Sequence, residues 1–109
     1  MRIKVLDKNI EYNVDCCFSF LSQLRGWMFR KTYNKDGLFF DFKRVKQVDL
    51  HTLFVYNKLD LVWLNPERRV VKILRNIEPF KFRIRGEEAR FLLEIKDARD
   101  LNEGDILLF

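Results

Sequence analysis

A chain of 109 residues, 48% apolar and 15% aromatic, has the material for one hydrophobic core and too little for two. Four glycines and two prolines set against eleven phenylalanines exclude a disordered chain, and no apolar run approaches the roughly 20 residues of a membrane-crossing helix. The net charge of +5 is uneven: residues 1–86 carry 18 basic and 9 acidic side chains, and the remainder carries 3 and 7. A basic body of this kind suits either a polyanionic partner or an ordinary solvated surface.

The opening residues, MRIKVLDKNIEY, lack the apolar stretch of a secretory leader, which implies a cytoplasmic, reducing setting. Within them Ile3 and Val5 alternate with polar neighbours. Ile10, Tyr12 and Val14 do the same after Asp7-Lys8-Asn9, so a β-hairpin is predicted over 2–6 and 10–14. The adjacent Cys16 and Cys17 cannot form an unstrained disulfide, and no second pair exists to complete a zinc site. They read as small core residues, with soft-metal or redox chemistry as the alternative. Phe18, Leu21, Leu24 and Met28 then recur at three- and four-residue steps, which predicts one short helix with Asp15 as N-cap and Gly26 near its end.

Strand-like runs follow the turn signal Asp36-Gly37: residues 38–42, 45–55, 59–64, 69–74, 80–85, 91–95 and 106–109. Phe80, Phe82 and Ile84 should face the core and leave Lys81, Arg83 and Arg85 as a basic stripe, with Lys43, Arg44 and Lys46 nearby. The expected fold is therefore a single, mostly β domain over residues 1–109. It is a β sandwich, jelly roll or partly open barrel of about eight short, mainly antiparallel strands with one short α-helix.

Catalytic patterns are sparse. One histidine precludes a His-rich metal centre, the scattered glycines make no phosphate loop, and neither a metal nor a cofactor is expected. Two polar groupings remain. Arg25 and Arg30 bracket an apolar run, where they would clamp an anion bidentately or pair with an internal carboxylate. His51-Thr52 and Asp60 form the other. Asp60 opens the most apolar run of the chain and needs a partner, for which His51, Arg25 and Arg30 are the candidates.

These residues also carry a resemblance. Arg25-Gly26-Trp27-Met28-Phe29-Arg30 resembles the R-G-L-M-F-R signature of the DUF192 family, a domain of unknown function. Gly37 to Phe42 resembles its G-M-L-F-x-F, His51 to Phe54 its H-T-x-F form, and Leu59 to Leu64 its P-L-D-x-x-F-L. Ala89 to Ile95 is similar to A-x-x-V-L-E-L, and Gly104-Asp105 to the closing G-D. Trp27 departs from the usual Leu, and Lys58 stands where Pro normally precedes Leu-Asp, freeing a backbone N–H. The resemblance implies a compact, mostly antiparallel β fold of sandwich or jelly-roll type, and a short, cytoplasmic, archaeal kind of member. It implies no activity.

Three functions compete. The first is a binding module in which Arg25, Arg30, His51, Thr52, Asp60 and Glu94 converge on an anionic or hydroxyl-rich ligand, the two carboxylates orienting the arginines. The second is nucleic-acid or protein-partner binding on Lys81, Arg83, Arg85, Lys43, Arg44 and Lys46. The third and least supported is an enzyme with His51 and Asp60 as acid and base.

Overall fold

The computed structural model describes residues 1–17, 35–50, 58–78 and 84–109. These form seven strands: β1 (Arg2–Val5), β2 (Glu11–Cys17), β3 (Gly37–Leu50), β4 (Leu59–Leu64), β5 (Val70–Ile77), β6 (Ile84–Ile95) and β7 (Leu107–Leu108). They make one mixed sheet in the order β5-β4-β6-β3-β2-β1-β7. The predicted hairpin is β1–β2, with Ile3 opposite Tyr12 and Asp7 at φ 64 in the turn. The β2–β3 pair is parallel and the others are antiparallel. Parallel neighbours require a crossover of about a dozen residues or more, and the chain between Cys17 and Gly37 is long enough to supply one.

Among the described residues the sheet does not close into a barrel. Its outer edges nonetheless meet at one corner, where Arg69 bridges Ile106, the Val70 N–H donates to Asp105, and the Gly104 N–H donates to Val70. Curling in this way separates two apolar layers. Ile3, Val14, Phe39, Val62, Leu93 and Leu107 belong to the concave layer, to which every strand contributes. Leu38, Leu61, Trp63, Ile84 and Leu92 belong to the convex layer of β3, β4 and β6. Strand β4 is buried along its whole length because it carries both layers at once, which explains its unbroken apolar sequence.

Several expectations need correction. The strands are not uniformly short: β3 has 14 residues and β6 has 12. The runs at 38–42 and 45–50 are one strand, because the β3–β6 ladder passes from Asp41–Phe91 directly to Lys46–Ala89 across a wide bulge. Asp15 is a residue of β2, paired with Leu38, and not a helix cap. Cys16 is exposed rather than core, since β1 ends short of it on that side of the sheet. The predicted helix over 18–28, the run at 51–55 and most of the alternation at 80–85 lie outside the described residues. Ile84 is buried and Arg85 exposed, as that alternation requires.

Candidate binding site

Asp60 is buried, 6% exposed, on the concave side of β4. The β4–β5 ladder slips there, from Leu59–Ile77 to Leu61–Leu74, so Arg75 and Asn76 together face Asp60. Asn76 takes a left-handed backbone, φ 55, which asparagine tolerates better than most residues. The slip turns a backbone N–H out of the ladder, and the Asp60 carboxylate accepts it: Asn76 N to Oδ1 is 2.7 Å. The Ala98 N–H donates to Oδ2 at 2.5 Å. Arg75 completes the knot by donating to the carbonyls of Ala98 and Leu101. The described partners of Asp60 are thus backbone amides that fasten β4, the β5 bulge and the segment after β6. His51, Arg25 and Arg30, the partners expected from sequence, lie outside the described residues.

The same segment presses on Tyr12. Burial, with the charges of Asp100, Asp97 and Asp36, pushes its phenol up to about 12. Asp105, in the turn that follows, accepts Lys8 Nζ at 2.7 Å and the Asn102 N–H at 2.9 Å. Burial pulls its carboxyl upward, but the Lys8 hydrogen bond, the Asn102 amide and the Lys8 charge hold it below the usual carboxylate range.

Glu94 is 3% exposed on β6, directly between Leu38 and Leu61. Paired residues share a face, so Glu94 projects into the convex layer. Asp60 pairs with Ile95 and projects into the concave one. The two carboxylates expected to line one pocket therefore lie on opposite faces of the sheet. Arg25, Arg30, His51 and Thr52 lie outside the described residues, as do Lys81 and Arg83. Lys43, Arg44, Lys46 and Arg85 are exposed. Among the described residues no group of His, Cys, Asp and Glu is arranged to hold a metal ion, and no helix is long and apolar enough to cross a membrane. The cleft of about 280 Å³ between the β1–β2 turn and Leu108 is lined by none of the expected site residues.

Sequence reasoning missed Arg75, Tyr12 and the Lys8–Asp105 pair. The Asn76 bulge is the signal for the first, but it is legible only once β4 and β5 are aligned.

Two solved structures share this fold. One is a proposed transcription regulator from Sinorhizobium meliloti 1021, 20% identical, with a TM-score of 0.86 over 98% of this chain and 91% of that one. The other is a protein of unknown function from Novosphingobium aromaticivorans DSM 12444, 18% identical, with a TM-score of 0.84 over 99% of this chain and 84% of that one. No curated protein matches the chain. The family model of DUF192, described as an uncharacterised ACR, matches residues 2–106, in keeping with the motifs at 37–42, 59–64 and 89–95 that β3, β4 and β6 carry, and the chain belongs to that family.

Proposed function

We propose that the chain is a small binding module whose ligand site lies on the convex face, anchored by Glu94, and that Asp60 serves the fold instead. The observation that supports this reading is a carboxylate 3% exposed in a row of leucines. A buried carboxylate needs a cation and hydrogen-bond donors, and the Arg25–Arg30 motif supplies the guanidinium best shaped for it. An arginine held on one edge by Glu94 keeps N–H groups on its other edge for a carboxylate, sulfate, phosphate or hydroxyl-rich ligand, with His51 and Thr52 as further contacts. The helix expected over 18–28, which would carry Arg25 and end just before Arg30, and a cytoplasmic setting belong to the same reading.

The test is a thermal-shift and NMR screen of sulfate, phosphate, citrate and simple sugars against the wild-type chain, Arg25→Lys, Arg30→Lys, Glu94→Gln and Asp60→Asn. The reading expects one ligand class to raise the melting temperature of wild type. It expects that effect to vanish in Glu94→Gln and in one arginine variant, and to persist in Asp60→Asn. Equal ligand response in wild type and both arginine variants would remove it.

A further inference from the structure

We propose that Lys43, Arg44, Val45 and Lys46 form a docking surface for an acidic protein segment bearing an apolar side chain. All four are exposed: Lys43, Arg44 and Val45 in the gap of the β3–β6 ladder, where residues 42–45 of β3 stand opposite Arg90 alone, and Lys46 where pairing resumes opposite Ala89. A bulge this wide throws the chain out of the sheet. Val45, the last residue of the bulge, is 49% exposed, more than Met1, Leu6 or Leu108.

The projection is braced. The Lys43 N–H donates to Asp41 Oδ1 at 2.8 Å, Arg90 Nε donates to the same oxygen at 3.2 Å, and Lys43 takes a left-handed backbone, φ 67. Burial pulls the Asp41 carboxyl upward, but these hydrogen bonds and the charges of Arg90 and Lys43 hold it below the carboxylate range, so the brace stays ionised at neutral pH. Lys46 lies over the Phe42 ring at 4.8 Å. Arg44 has no ion-pair or hydrogen-bond partner among the described residues. Left-handed backbone at a lysine and three cations in four residues both work against stability, and no core packing of Val45 offsets them.

The surroundings decide the partner. Single-stranded nucleic acid needs open aromatic faces for its bases. Phe42 has Lys46 on its ring and Phe40 stacked beside it at 6.3 Å. A polyanion running on along the ribbon would also meet Glu87 and Glu88, which lie opposite Val48 and Gln47. A short acidic segment avoids both obstacles and gives Val45 an apolar contact.

The test titrates the full chain, at moderate salt, into a short fluorescein-labelled peptide of glutamates around a central leucine. The same peptide with serine for leucine, and an oligothymidylate of equal charge, serve as comparison probes. Arg44→Glu should weaken peptide binding about tenfold, and Val45→Ser several-fold, with melting temperatures unchanged because both side chains are in solvent. The serine peptide should bind wild type as weakly as the leucine peptide binds Val45→Ser. No binding to wild type, equal affinity in Arg44→Glu, or oligothymidylate binding as tight as the leucine peptide would each overturn the proposal.

Discussion

Asp60 restores the hydrogen bonds that a strand slip takes away. Replacing it with alanine leaves the Asn76 and Ala98 amides without their acceptor, and a buried amide left unpaired costs about 1–3 kcal/mol. Asp60→Ala should therefore lose about 2–5 kcal/mol in urea unfolding, a loss that a surface carboxylate would not produce. Tyr12 offers a second test at this scale. Its phenol ionises at about 12 in the folded chain against 10.0 otherwise, so its contribution to stability is complete below pH 10 and drains away as pH rises towards 12. Tyr12→Phe should flatten that alkaline loss in a pH series of melting curves.

Burial of Asp60 was legible in the sequence, because a charge within Leu-Asp-Leu-Val-Trp-Leu has no exposed face to occupy. Its separation from Glu94 was not. Which face each carboxylate takes depends on the register that sets Asp60 against Ile95, and a shift of one residue would reverse it.

Among the elements, the β3–β6 ribbon carries the widest register shift, between Asp41 and Lys46. Beyond the bulge its far end lies on β4, where the Trp63 indole N–H donates to the Val48 carbonyl at 2.9 Å. From β5, Lys72 Nζ reaches the carbonyls of Arg85 and Gly86 at 3.2 and 3.4 Å. A side chain at Gly86 has no room: its Cβ would lie 1.8 Å from the Val48 oxygen and 2.6 Å from Trp63 Nε1. Gly86→Ala should lift the ribbon end, cost about 1–3 kcal/mol or more, and shift tryptophan emission to the red as Trp63 meets water.

The β1–β2 turn is fastened differently, by Lys8 on Asp105. Lys8→Met should cost about 1 kcal/mol at neutral pH. Because the Asp105 carboxyl is held low when folded, that stability is present above the ordinary aspartate range. The gap between wild type and Lys8→Met should therefore begin to narrow as pH enters that range and close only below it. The hairpin itself could be read from alternation alone. The unity of β3 could not, since a bulge of four residues looks in sequence like a turn between two strands.

At the scale of the whole molecule, protection follows depth in the sheet. Strand β6 has β4 on one side and β3 on the other, while β7 has two residues at an edge. Hydrogen exchange should be slowest for the amides of Leu61 to Leu64 and Phe91 to Ile95 and fastest for β7. Equal rates across these strands would contradict the layered core. A mostly β fold could be foreseen from the spacing of its apolar runs and turns. The parallel β2–β3 pair, and the insertion of β6 between β3 and β4, involve residues far apart in sequence and leave no local trace.

That insertion governs how the protein comes into being. A ribosome delivers β1, β2 and β3, then the β4–β5 hairpin, before any of β6 exists, so the nascent chain consists of two half-sheets with nothing to join them. Each shows an open edge, and Trp63 has no ribbon over it. Closure waits for β6, which follows all five of those strands in the chain and pairs with β3 and β4. Until β6 has emerged, the newly made chain therefore keeps those two edges open, the interval in which a chaperone has the most to cover.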